Sequence, residues 1–303
     1  MSHESRQDLL VRAMPAVFVL IWSTGFIVAR YGMPHAPPMK FLALRYLLSV
    51  GCFLVWATLA RAAWPRDRTQ VLHLAVAGIF MHAGYLGGVW AAVKDGMGAG
   101  LSALLVGLQP VLTAIWVSGR GGHVTARQWG GLALGLAGLL LVVWQKLGFG
   151  EVHPLNLTFA LVALLSITAG TLYQKRFVAP CDVRTANLVQ LAAAFAVTLP
   201  LALLETEAMR WTAQGGGVNT ELVGAMAWSV LGLTLGGSSL LYLLIQRGAA
   251  TAVTSLMYLV PPTTALMAWA LFGEPITPLI VAGVALTAVG VSLVVRAPAA
   301  GRP

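Results

Sequence analysis

An uncharged apolar run of twenty residues, Gly98–Val117, reads GAGLSALLVGLQPVLTAIWV, and the chain writes it a second time as ATAVTSLMYLVPPTTALMAW over Ala250–Trp269. At about 1.5 Å of rise per residue, a helix of this length crosses the ~30 Å apolar layer of a bilayer. Pro110 corresponds to Pro262 at an offset of 152 positions. The same offset, without a gap, pairs Gly96 with Gly248, Gly121 with Gly273, Thr125 with Thr277, Gly131 with Gly283 and Gly138 with Gly290. It also superposes Leu141, Val142 and Val143 on Leu293, Val294 and Val295. A duplicated apolar unit restricts the chain to a membrane fold built twice.

Composition agrees with that restriction. Of 303 residues, 58% are hydrophobic and only 10% are charged, against about 25% charged in soluble domains. Mean hydropathy is +0.81, and the apolar surplus runs from end to end, which leaves no soluble domain. The net charge of +9 raises the question of nucleic acid, but the Lys and Arg lie in short loops and form no single patch. Cys52 in an apolar run and Cys181 in a loop make neither a disulfide framework nor a metal spacing. Similar runs follow the first apolar run throughout the chain, so it reads as a retained helix and not as a cleaved signal.

The pattern predicts ten membrane helices near 14–31, 41–60, 71–92, 98–117, 127–146, 155–174, 185–204, 222–245, 250–271 and 277–295. The longest connection, Glu205 to Glu221, is Gly-rich and reads as an exposed loop. With the N-terminus cytoplasmic, alternate loops place thirteen Lys and Arg on that side and six on the other, which puts both termini inside. Five helices per copy is an odd number, so the second copy enters the membrane from the opposite side. The expected architecture is all-α, with two inverted five-helix repeats, residues 13–148 and 152–296, around a central cavity near the midplane.

The predicted helix interiors contain no Asp or Glu, because all ten acidic residues fall in tails, loops or helix ends. A membrane protease or prenyl transferase needs buried carboxylates, a His–Glu metal pair or a nucleophile beside a base, and none is written here. The sequence therefore predicts no enzyme, no metal and no cofactor. Neutral polar and aromatic residues occupy the helices instead. Ser102, Gln109, Thr113 and Trp116 are spaced to share one face, as are Ser238, Tyr242 and Gln246. The predicted cavity set is Trp22, Thr24, Tyr46, His82, Tyr85, Trp90, Gln109, Ser238, Tyr242 and Tyr258. Polar groups in hydrocarbon must be partnered or face a wet cavity, so these faces are expected to look inward. Pro110, Pro261 and Pro262 interrupt helix hydrogen bonding and are the expected hinges. Arg45 has two open readings, a structural tie or the partner of a substrate carboxylate. Ser102 and Thr113 have a competing reading as hydroxyls bonded to their own helix, and Trp64, Trp144 and Trp211 as interfacial belts.

LIWSTGFIVAR (Leu20–Arg30), FLALRYLLS around Arg45, and GEPIT with VAGVALTAVGV (Gly273–Val291) resemble the EamA branch of the drug/metabolite transporter superfamily. Within it the chain is most similar to the YddG-type bacterial exporters of aromatic amino acids. One departure is plain: Gly121, Gly122 and His123 stand where the second half has Gly273, Glu274 and Pro275. The resemblance implies a monomeric, multi-pass carrier of the bacterial inner membrane that exports amino acids, aromatic ones preferred, and related small metabolites by alternating access. The absence of a buried carboxylate favours a facilitator. The alternative is a broad drug or metabolite efflux pump, coupled to protons through His82 or Glu274. Expected partners are the small-molecule substrate and the lipid bilayer, with no nucleic acid.

Overall fold

The computed structural model describes residues 3–65, 67–121, 125–237, 240 and 259–295. These residues are helical with short connections, and an isolated antiparallel bridge, Thr212 to Val218, is the one extended pairing among them. In chain order α1 is His3–Gly32, α2 Pro38–Leu59 and α3 Arg68–Lys94. Two segments, Ala99–Val106 and Gln109–Gly119, make α4. They are followed by α5 (Ala126–Gly148), α6 (Pro154–Phe177) and α7 (Val183–Leu204). Among the described residues, α8 (Thr220–Gly236), α9 (Val260–Phe272) and α10 (Pro278–Val295) come after them. Six helices, α2 to α7, are long and apolar enough to cross a membrane, and Ala16–Gly32, Thr220–Gly236, Val260–Phe272 and Pro278–Val294 are shorter apolar helices.

Local sequence explains where the helices start and stop. Thr125 caps α5 through a reciprocal box with Gln128, and Thr277, 152 positions later, accepts from the amide of Ile280 at the start of α10. Asp67, Asp182 and Asn219 cap α3, α7 and α8 in the same way. Gly273 ends α9 in the left-handed region at φ 65°, which glycine adopts without steric cost.

Two departures from regular α-helix follow the repeat. In α3 the stretch Ile79–Gly84 is π-helical, and in α8 so is Trp228–Gly236. Their last residues, Gly84 and Gly236, are 152 positions apart. The run Gly98–Val117 is not one continuous helix as its composition predicts. It breaks at Gly107 and Leu108 because Pro110 has no N–H to offer the Val106 carbonyl. The break falls between Ser102 and Gln109, so the expected common face of Ser102, Gln109, Thr113 and Trp116 is not carried by one continuous helix. Ser102 is buried while Trp116 is half exposed under the Arg120 guanidinium, 4.5 Å above its ring.

Packing is tightest between α5 and α10, whose glycines are built for backbone contact. Gly131 faces the Gly290 carbonyl, and Gly138 faces the Gly283 carbonyl and Thr287. As numbering rises along α5 its partners fall along α10, so the two helices run antiparallel. The contacts are also reciprocal, since Gly283 and Gly290 are Gly131 and Gly138 displaced by 152 positions. Similarly, Gly107 at the break in α4 abuts Pro261 at the start of α9, and α2 packs along α7. Large apolar side chains such as Leu59, Trp144, Leu203 and Leu204 are 76–80% exposed, which suits a lipid-facing surface and not water.

One end of the bundle, formed by the loops after α1, α3, α5, α7 and α9, carries nearly all the ion pairs among the described residues. Glu205 accepts from the amides of Met39 and Lys40 at the start of α2, at 2.9 and 2.8 Å. Glu207 pairs with Lys94 at 3.1 Å, His35 with Glu221 at 2.6 Å, and buried Lys146 with Glu151 at 2.8 Å. Hydrogen bonding from Lys94 holds the Glu207 carboxyl below its ordinary value, so this pair is intact at neutral pH and is lost as pH falls through that lowered value.

A side chain forced between α5 and α10 is expected to wedge them apart. A Cβ on Gly138 would sit 2.6 Å from Thr287 Oγ1, whereas one on Gly119 meets nothing within 4 Å. Gly138→Leu should therefore cost about 1–3 kcal/mol and lower the melting temperature in detergent. Gly119→Leu is the control, and equal melting temperatures for the two variants would remove this packing argument.

Candidate functional site: an aromatic cavity with one guanidinium

Five helices wall a cavity of about 120 Å³. From α1 come Trp22, Gly25 and Phe26, and from α2 Arg45. The α3 helix supplies Met81, His82, Tyr85, Leu86, Val89 and Trp90, α6 supplies Ile167, and α8 supplies Leu233 and Thr234. Both π-helical segments thus reach the cavity, one through Met81 and His82 and the other through Leu233 and Thr234. A π-helical turn widens the helix and turns successive side chains by a smaller angle, and such turns are frequent at functional sites. Here the widening sets His82 and Thr234 on the cavity wall.

Consecutive residues of α2 tie the two segments down. Tyr46 Oη donates to the His82 carbonyl at 2.9 Å, and its ring meets the His82 ring edge-on at 6.2 Å. Arg45 Nε and Nη2 both donate to Thr234 Oγ1, at 3.4 and 3.2 Å. Thr234 in turn donates to the Ser229 carbonyl five residues back, which answers an acceptor that the π-helical turn re-routes. Arg45 is 7% exposed, and none of the ion pairs among the described residues includes it.

The sequence-predicted residues divide accordingly. Trp22, His82, Tyr85 and Trp90 line the cavity, with Arg45 beside them. Trp90 is also stacked on Phe41 with ring centroids 4.4 Å apart, so its orientation is fixed by the core. Tyr46 is fully buried behind the wall and acts through the His82 carbonyl. Thr24 faces α8, where its hydroxyl accepts from Trp228 Nε1 at 2.8 Å while donating to Ile21. Gln109 donates to Thr171 on α6 at 2.8 Å, away from the described cavity walls. Ser102 and Thr113 donate to the carbonyls of Gly98 and Gln109 in their own helix. Ser238, Tyr242 and Tyr258 lie outside the described residues. Pro261 and Pro262 open α9, and Pro110 opens the second segment of α4.

Glu274 is not at the cavity. Its carboxylate accepts from the amide of Ala99 at 2.8 Å and reaches that of Gly100 at 3.4 Å, capping α4 from the neighbouring half. Met81, Leu86, Val89, Ile167, Leu233 and Thr234 were not predicted as lining. Only Thr234 carried a signal, a hydroxyl in an apolar run, and the turn geometry that aims it inward is not written in residue spacing.

The EamA-like transporter family model matches residues 13–144 and 155–296. The chain is 25% identical over 268 residues to an uncharacterized inner membrane transporter, YedA, of Escherichia coli K12, covering 88% of this chain and 84% of that protein. It is 26% identical over 287 residues to an uncharacterized transporter, YvbV, of Bacillus subtilis, covering 92% and 89%. A probable amino-acid metabolite efflux pump of Escherichia coli K12 matches at 25% identity over 173 residues, 57% of this chain and 54% of the pump. A crystal structure of a protein superposes with a TM-score of 0.62 over 93% of this chain and 95% of that one, and its 18% identity bears on the fold alone. With both halves matched by one family and six helices long enough to span a bilayer, the chain is a multi-pass membrane protein that belongs to the EamA-like transporter family.

Proposed function

We propose that the protein is a secondary transporter of the bacterial inner membrane that moves amino acids, aromatic ones preferred, and related small metabolites outward as a facilitator. The observation that carries this reading is the cavity itself, where the described lining sets Trp22, Tyr85, His82 and Trp90 around the Arg45 guanidinium and includes no carboxylate. Aromatic walls favour an aromatic guest through stacked or edge-on contacts, each adding about 0.5–1.5 kcal/mol beyond burial. A proton-driven cation carrier needs a buried acid to hold cation and proton in turn, and the described lining of the cavity includes none. The amino-acid class is supported by the efflux pump relatives, and the inner membrane by the name of the YedA relative.

The mechanism is alternating access in ten membrane passes, arranged as two inverted five-helix repeats with both termini cytoplasmic. Reciprocal antiparallel contact between α5 and α10 supports this arrangement, because helices related by a two-fold axis in the membrane plane meet in that way. The break of α4 at Gly107, against Pro261 in the first turn of α9, serves as a hinge. A cavity of about 120 Å³ is small beside the ~300–1,000 Å³ typical of ligand sites, so an aromatic amino acid enters only as helices part. The second reading, proton coupling, keeps one specific support in His82, which lines the cavity and titrates near neutral pH in water. Glu274, clamped on α4, does not support it.

Labelled tryptophan in proteoliposomes of the purified protein tests the reading. Flux should follow the tryptophan gradient alone and stay within about twofold when a pH gradient is imposed. His82→Gln should leave that indifference to pH unchanged. Concentrative uptake that requires the pH gradient and disappears in the variant would replace the facilitator with a proton-coupled carrier. Pro110→Ala restores an amide to the Val106 carbonyl and should stiffen α4. It should slow turnover about tenfold with little change in half-saturation, as expected of a hinge. Weaker binding at unchanged turnover would place Pro110 at the substrate instead.

A further inference from the structure

Among the described residues, Arg45 is a buried charge that no ion pair balances. A guanidinium has five N–H donors in a planar fork, and those that bond among the described residues share a single neutral hydroxyl, Thr234 Oγ1. The acceptor capacity of Thr234 is itself divided, since Nε and Nη2 converge on it at 3.4 and 3.2 Å, both long for charged donors. An ion buried without a counter-charge costs several kcal/mol, and partnering a neutral hydroxyl recovers little of it. The cost is larger still at membrane depth. A structural tie between α2 and α8 needs no charge, because a neutral amide would serve. The charge is accounted for if the partner arrives with the substrate.

Its neighbours define what that partner looks like. The cavity beside Arg45 is walled by the rings of Trp22, Phe26, Tyr85 and Trp90 and by Met81, Leu86, Val89, Ile167 and Leu233. No Asp or Glu is in its described lining, and residues 238, 239 and 241–258, outside the described part, contain none. An anionic head on an apolar body therefore finds both a fork and a greasy wall. In the described lining a primary ammonium finds ring faces and the repulsion of Arg45.

We propose that Arg45 anchors the carboxylate of the transported molecule and that the amino group goes unread, so the substrate class is apolar and aromatic monocarboxylates, of which amino acids are one kind. This rests on the reading of the cavity as the transport site but not on amino acids being its natural cargo. The substrate carboxylate takes the fork face that Thr234 leaves free, forming the paired N–H···O contacts that guanidinium and carboxylate geometry favour.

Three probes that share one indole body separate the alternatives: indole-3-propionate, which lacks the amine, tryptophan, which has both groups, and tryptamine, which lacks the carboxylate. Binding of each to the purified full chain in nanodiscs is measured by calorimetry, independently of flux. Indole-3-propionate should bind at least as tightly as tryptophan, and tryptamine about tenfold or more weaker than either. In Arg45→Gln, which keeps a donor for Thr234, both acids should fall about tenfold or more, to the level of tryptamine. Arg45→Lys should recover part of the loss. The ligand series on the unaltered protein stands even if the variants fail to fold. Tryptamine binding as tightly as the acids, acids unaffected in Arg45→Gln, or no binding by any probe would each overturn the proposal. Arg45-dependent binding of indole-3-propionate without tryptophan flux would instead retain the anchor and discard the amino-acid reading.

Discussion

Inside a bilayer every backbone N–H and C=O must find its partner within the protein, and this chain departs from regular helix only where it can satisfy that demand. Side chains bond the backbone at both π-helical segments: Tyr46 donates to the His82 carbonyl, and the Thr234 hydroxyl to the Ser229 carbonyl. Pro110 withholds an amide, and the break it leaves at Gly107 is covered by Pro261 in the first turn of α9. The cavity lies among these departures because a regular helix has no slack with which to turn His82 and Thr234 toward one point.

The α2 helix connects the irregularities. Arg45 reaches the π-helical segment of α8 and its neighbour Tyr46 that of α3, so adjacent residues hold elements from both halves. Occupancy of the guanidinium by a carboxylate would draw on the bond that holds Thr234, which gives a physical route from binding to rearrangement. At the loop-rich end the acidic residues have a different task. Glu205 and Glu274 cap helices from the opposite half, and Glu207 and Glu221 pair with Lys94 and His35. That end is closed by charge, while the helix middles are closed by glycine packing.

Much of this was legible in the residues. The offset of 152 positions that pairs Pro110 with Pro262 and Gly131 with Gly283 identified the duplicated unit, and four of the predicted cavity residues, Trp22, His82, Tyr85 and Trp90, share the described cavity. Polarity in an apolar run is a reliable signal because burying an unpartnered group is costly. It does not say which partner is found. Gln109 found Thr171, Thr24 found Trp228, and Ser102 and Thr113 found their own backbones. The face drawn from Ser102 through Trp116 failed because it assumed one unbroken period across a proline.

The sequence by itself determined that this is a twice-built, membrane-embedded helical chain without a buried acid, since hydropathy, proline positions and residue identity are local properties. Only the tertiary structure decided that α3 and α8 turn π-helical at related positions and that Glu274 caps α4. It alone also decided that Arg45 meets Thr234 across 189 residues of chain. These depend on which helices pack together and how closely their backbones approach. Apolar helices of similar composition have many near-equal ways to pack in lipid. Glycine contacts such as Gly138 against Thr287 fix one of them, and through it where the Arg45 guanidinium comes to rest.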